Sequence, residues 1–163
     1  MAVSLDLPTQ TAPSWVDPNP IFLLAGDNCR LAIIGSQRFV NPDAISRATK
    51  IIREEIETCR PQVCISGGCP NGIDTLFREI AEEYGYTLKD KTFIEHLPRE
   101  DILRIPSSMR WGIRGGYKDR NVKIANDCSR CVAIRCHASR TYGSGWTVDL
   151  AEKLKKSVRR EIL

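Results

Sequence analysis

The chain has 163 residues, 42% hydrophobic and 27% charged, which suits one domain with its own core and is short for two. A formal net charge of +4 permits an anionic partner without requiring one, so charge alone excludes neither a small-ligand binder nor a nucleic-acid binder. Seven cysteines, an odd number at irregular spacing and partly inside apolar runs, exclude an ordinary disulfide framework and predict reduced thiols in a cytoplasmic protein.

Residues 1–20 carry Pro8, Pro13, Pro18 and Pro20 among small polar residues and read as a tail or arm, with Trp15 able to pin it. Neither this segment nor any later one has the apolar run of a signal peptide or of a membrane helix, so no membrane partner is expected. Residues 21–163 read as a single domain. Within it, Arg30–Ile34 is a short apolar strand ending on Gly35-Ser36. Asn41-Pro42-Asp43 opens a helix with a capping residue and a proline in the first turn. Ile45, Ala48, Ile52, Ile56 and Cys59 then recur at helical spacing until Pro61.

Gln62–Ser66 is a second strand, and Ile73, Leu76, Phe77, Ile80 and Tyr84 stripe a second helix stopped by Gly85. A third strand starts over Thr92–Ile94, followed by an irregular basic stretch from Pro98 to about Tyr117. Asp119–Asn126 reads as a short helix and Cys131–Arg135 as a further strand. Tyr142-Gly-Ser-Gly145 reads as a glycine turn. Val148, Ala151, Leu154 and Val158 complete the pattern as the stripe of a terminal helix. Alternating units with uninterrupted apolar strands predict an α/β fold: a doubly wound, mostly parallel, Rossmann-like sheet with helices on both faces.

In such folds ligands bind beyond the carboxyl ends of the strands. Three segments leave a strand there with glycine or serine: Gly35-Ser36-Gln37-Arg38, Ser66-Gly67-Gly68-Cys69-Pro70-Asn71-Gly72, and Gly143-Ser144-Gly145. Each opens into, or shortly precedes, a helix whose unpaired N–H groups suit a phosphate. None is followed by Gly-Lys-Ser/Thr, and none has the G-x-G-x-x-G spacing, so neither a Walker loop nor a dinucleotide fingerprint is present.

The order I-I-G-S, I-S-G-G-x-x-x-G-I-D, D-R-N and Y-G-S-G-W-T resembles the SLOG superfamily over about Leu31 to Val158. That group of Rossmann-like proteins includes the Lonely Guy phosphoribohydrolases (LOG-like), the SMF/DprA-type proteins and small stand-alone nucleotide-sensing domains. The resemblance implies a nucleotide or nucleotide-derived ligand, with Gly35, Ser36 and Arg38 at a first phosphate loop and Gly67, Gly68 and Gly72 at a second. It further implies binding roles for Asp74, for the pair Arg120 and Asn121, and for Gly143, Ser144, Gly145 and Thr147. The departures lie in the first loop, where Gln37 leaves Arg38 displaced by one, in the third loop, where Trp146 replaces a glycine, and in Leu150, which stands where the hydrolases place a catalytic glutamate.

Three functions follow as expectations. The first is a nucleotide-binding domain acting as a sensor, with no cofactor, no assigned catalytic residue and room for a homo-oligomer. The second is a phosphoribohydrolase, which Leu150 weighs against because N-glycosidic cleavage needs a carboxylate at the sugar. The third is a DprA-like single-strand DNA binder, which the mild net charge weighs against. Within the basic stretch, Arg120 is the expected phosphate clamp, Arg110 and Arg114 are undecided, and Trp111 and Tyr117 either stack on a base or plug the core edge. Cys128, Cys131, Cys136 and His137 lack the two separated pairs of a structural zinc site, so no metal is expected.

Overall fold

A computed structural model of the chain describes residues 28–136 and 143–163; the expected tail, His137 and Tyr142 lie outside the described residues. Five strands form one sheet: β1 (Arg30–Gly35), β2 (Val63–Ser66), β3 (Phe93–Glu95), β4 (Arg130–Arg135) and β5 (Ser157–Ile162). Four helices connect them: α1 (Pro42–Cys59), α2 (Ile73–Glu83), α3 (Tyr117–Asp127) and α4 (Gly143–Lys153). Every strand pairing is parallel, in the order β3-β2-β1-β4-β5. The expected doubly wound α/β architecture is therefore present.

Strand alternation sorts the core into two layers. Leu31 and Ile33 of β1 point toward α1 and α2, where they meet Ile52, Ile56, Phe77 and Ile80. Ala32 and Ile34 point the other way, toward Ile124 of α3 and Val148 and Ala151 of α4. The caps follow the sequence signals. Asn41 accepts a hydrogen bond from the Ala44 N–H at 2.8 Å, with Pro42 in the first turn of α1.

The basic stretch is less irregular than expected. It contains two 3₁₀ turns, Glu100–Arg104 and Ser107–Met109. Arg110 staples the stretch, donating to the carbonyls of Leu103 (2.9 Å) and Ile105 (2.6 Å) and to the Tyr117 hydroxyl (3.1 Å). Its undecided role is thus structural in this respect.

Two expectations are corrected. The terminal helix does not reach Val158, because α4 ends at Lys153 and Val158 lies in β5, paired with Cys131 of β4. Val158 fits helical spacing from Leu154, yet a second strand beside β4 satisfies that strand's outward N–H and C=O groups. The stop is also hidden, since Lys155 rather than a glycine adopts the left-handed conformation there, with φ of 63°. Second, Gly143-Ser144-Gly145 is not a turn ahead of the helix but the first turn of α4 itself.

Beneath β4 and β5 lies a buried ion cluster that no sequence pattern marked. Glu55 of α1, 3% exposed, accepts from Arg130 Nε at 3.0 Å and Nη2 at 2.9 Å, and from Arg159 Nη1 at 2.9 Å. Arg130 also donates to Ser157 Oγ at 2.7 Å. The cluster ties α1 to both of the strands beyond β1.

Candidate functional site

The strand order reverses between β1 and β4: α1 carries the chain from β1 to β2 on one side, and α3 brings it back from β3 to β4 on the other. A crevice at the carboxyl ends of these strands is the expected ligand position in a doubly wound sheet. A small open cleft of about 60 Å³ lies there, lined by Ile34, Gly35 and Gln37 at the end of β1, by Cys69 from the β2–α2 connection and by Asp74 in the first turn of α2. Arg120 and Asn121 of α3 and Gly143, Ser144 and Thr147 of α4 complete its walls.

The second glycine segment is closed on itself. Ser66 Oγ accepts from the Gly68 N–H at 3.0 Å, and Asp74 Oδ2 accepts from the Cys69 N–H at 3.1 Å. The Ser36 carbonyl accepts from the Ile73 N–H at 3.0 Å, occupying the start of α2. Gly72 has φ of 76°, and a Cβ there would overlap the Ser36 carbonyl oxygen. Gly67, Gly68 and Gly72 do not line the cleft. Their geometry is that of a strand-to-helix turn passing close to the end of β1.

The first segment is similar. Ser36 is fully buried, donates its N–H to the Ile134 carbonyl at 3.1 Å, and accepts at Oγ from the Cys136 N–H at 3.0 Å. It joins the ends of β1 and β4. Arg38 is exposed and outside the cleft, where Gln37 stands instead. Gly145 also lies outside the lining.

The start of α4 differs from these. The N–H groups of a helix's first turn have no intrahelical acceptors and carry partial positive charge. Ser144 in that turn is 8% exposed and faces the cleft, and among the described residues its Oγ has no hydrogen-bond partner. A buried hydroxyl without a partner is uncommon in a native fold. Thr147 is not equivalent, because its Oγ1 donates to the Gly143 carbonyl at 2.7 Å.

Opposite stands Arg120, the fourth residue of α3. Its Nη1 donates to the Gly67 carbonyl at 3.0 Å and its Nε to Asn121 Oδ1 at 2.9 Å. Its guanidinium also packs 4.8 Å from the centre of the Tyr117 ring. Asn121, 3% exposed, donates in turn to the Gly143 carbonyl at 3.4 Å, so the Arg-Asn pair links the glycine turn to α4. Among the described residues no acceptor meets Arg120 Nη2. Burial pulls the guanidinium below its ordinary range, against the attraction of Asp74.

Asp74 is 6% exposed and its carboxyl is pushed up to about 6. Burial is the main cause; the Cys69 N–H and the Arg120 charge oppose it, and Glu95 reinforces it. Glu95 itself pairs with Arg78 at 3.2 Å. Burial also raises the Cys69 thiol, so this cysteine is not activated as a thiolate. Asp74 is therefore charged above about pH 6 and neutral below it, and its charge repels an anion in the cleft. Sulfate affinity should rise roughly ten-fold between about pH 7.5 and 5. Asp74→Asn should bind sulfate as tightly as the protonated wild type and without that pH dependence. Calorimetric titration at several pH values checks both, and a sloping profile in the variant would assign the effect elsewhere.

Among the described residues no three histidine, cysteine, aspartate or glutamate side chains converge on a metal-sized space. All seven cysteines are free thiols. No helix of the described residues is long and apolar enough to cross a membrane.

No protein-family model and no curated protein matches this sequence. The structure of the Moco carrier protein from Chlamydomonas reinhardtii is similar to it, with a TM-score of 0.55 and 19% sequence identity. The similarity covers 84% of this chain and 78% of that one. Together with the all-parallel sheet, this likeness makes the fold Rossmann-like.

Proposed function

We propose that the chain binds a nucleotide or nucleotide-derived ligand through its phosphate, in the cleft between the ends of β1 and β4, and acts as a sensor or binding module. The observation that carries this reading is the unpartnered, buried Ser144 hydroxyl at the start of α4, in the same cleft as Arg120. The loop order resembling SLOG proteins supports a phosphate-bearing ligand. A shared fold with a protein named as a Moco carrier supports a small molecule over a polymer. Relative to the sequence expectation, the reading moves the phosphate from the glycines around Gly68 to the first turn of α4.

The hydrolase alternative gains nothing, because Leu150 packs against the apolar core instead of supplying a carboxylate to the cleft. Incubation with nucleoside monophosphates should release no ribose 5-phosphate. Single-strand DNA binding would instead appear as an affinity falling steeply with salt.

The direct test compares Ser144→Ala and Arg120→Ala with Arg104→Ala, titrating each with AMP. Charge-assisted bonds contribute about 1.5–3 kcal/mol, so Arg120→Ala should bind on the order of ten- to a hundred-fold more weakly. Ser144→Ala should lose several-fold with an unchanged melting temperature, since its hydroxyl bonds nothing among the described residues. Arg104 is exposed and outside the cleft, so its loss should change affinity by under about 1 kcal/mol. Equal small losses at all three positions would sink the proposal.

A further inference from the structure

We propose that Trp111 forms a stacking subsite for a planar heteroaromatic ring, so that the cleft selects a whole nucleotide over its sugar phosphate. The inference rests on the anion reading of the cleft and deepens it by naming the ligand's second half. Trp111 belongs to the basic stretch, yet its ring sits at the start of α4: Cζ3 lies 3.5 Å from where a Cβ on Gly143 would stand. Gly143 is also part of the cleft wall. The ring is therefore next to the anion position without being in it.

Trp111 remains 37% exposed, so it does not simply plug the core edge. Trp146 braces it, with ring centres 5.4 Å apart and planes at 89°. A perpendicular contact of this kind covers at most one face of a ring, and over a third of the Trp111 surface remains accessible. Its backbone is fixed as well. The Trp111 carbonyl accepts from the Lys118 N–H at 3.2 Å, and the neighbouring Arg110 is stapled to Leu103, Ile105 and Tyr117. Lys118 Nζ lies 5.9 Å from the centre of the Trp146 ring, keeping a cation beside the pair.

A rigid, half-exposed indole beside a phosphate position offers what a base needs: a flat apolar face at low entropic cost. Stacking on such a face is tolerant of base identity, so purine and pyrimidine nucleotides should both use it. Trp146, near the start of α4, then supplies the brace for Trp111.

The test titrates wild type, Trp111→Ala and Trp111→Phe with AMP, UMP and ribose 5-phosphate. Wild type should bind the nucleotides on the order of ten- to a hundred-fold more tightly than ribose 5-phosphate. Trp111→Ala should erase that advantage while leaving ribose 5-phosphate affinity and melting temperature unchanged, and Trp111→Phe should restore most of it. Equal affinities for AMP and ribose 5-phosphate in wild type would overturn the ring subsite, as would an advantage that survives in Trp111→Ala. Failure of ribose 5-phosphate to bind any of the three proteins would overturn the anion reading and this inference with it.

Discussion

Gly72→Ala should lower stability by roughly 2–5 kcal/mol, measured by chemical denaturation. Two costs combine. An alanine held at φ of 76° and ψ of −140°, a region outside the left-handed helical well and left to glycine, gives up about 2 kcal/mol. The new Cβ would also overlap the Ser36 carbonyl and lie 2.6 Å from Gln37 Cα, and displacing packed backbone costs a further 1–3 kcal/mol or so. Ser36 cannot move freely, because its carbonyl holds the Ile73 N–H, its own N–H holds Ile134, and its hydroxyl holds Cys136. The strain therefore reaches β1, β4 and the start of α2 together. Gly85→Ala is the internal control. Its φ of 89° is likewise one that side chains rarely adopt, but a Cβ there has no neighbour within 4 Å, so the loss should be the smaller of the two. Equal losses at the two sites would mean that close approach of the β1 backbone is not what requires Gly72.

Glu55→Ala should be at least as damaging, about 3–5 kcal/mol, because it leaves the Arg130 guanidinium buried without its carboxylate. Arg130 is 4% exposed, and Glu55 takes two of its hydrogen bonds, leaving Ser157 Oγ as its remaining partner. The loss measures an orphaned charge and not the net worth of the pair, so replacing Glu55 and Arg130 together by methionine should recover most of the stability. A double variant as unstable as the single one would show that the cluster contributes beyond charge compensation. The pH dependence has a fixed sign. Burial alone would raise the Glu55 carboxyl, but hydrogen bonds from Arg130 and Arg159 outweigh it and hold the group below its ordinary 4.5. Its contribution is thus complete above about pH 4.5 and is lost as the pH falls through the depressed native value. Acid unfolding should begin there, and Glu55→Ala should flatten it. Asp74 has the opposite sign: its raised carboxyl favours the fold below its ordinary 3.8, an advantage lost as the pH rises through about 6.

The sequence by itself determined four of the five strands of the sheet. Short apolar strands at Arg30, Val63, Phe93 and Arg130, each separated by a helical stripe, leave no other arrangement than a parallel sheet covered on both faces. Local rules reach that far because burial on two faces writes itself into each strand's composition. The cleft was partly legible for the same reason, as Arg120, Asn121 and Ser144 lie at helix starts that follow strands, and topology brings such starts together.

Only the tertiary structure decided that the start of α2 is already occupied. The glycines around Gly68 and the N-terminus of α4 look alike in sequence, but at α2 the Ser36 carbonyl already holds the Ile73 N–H, whereas the Ser144 hydroxyl has no partner among the described residues. A hydrogen bond between residues far apart in the chain leaves no trace in either local pattern. The fifth strand was hidden similarly, since Ser157–Ile162 becomes a strand through pairing with β4, and Arg159 reaches the buried Glu55, 104 residues away. Spacing along the chain reports what a segment can bury, and contacts across the fold decide which polar groups remain for a ligand.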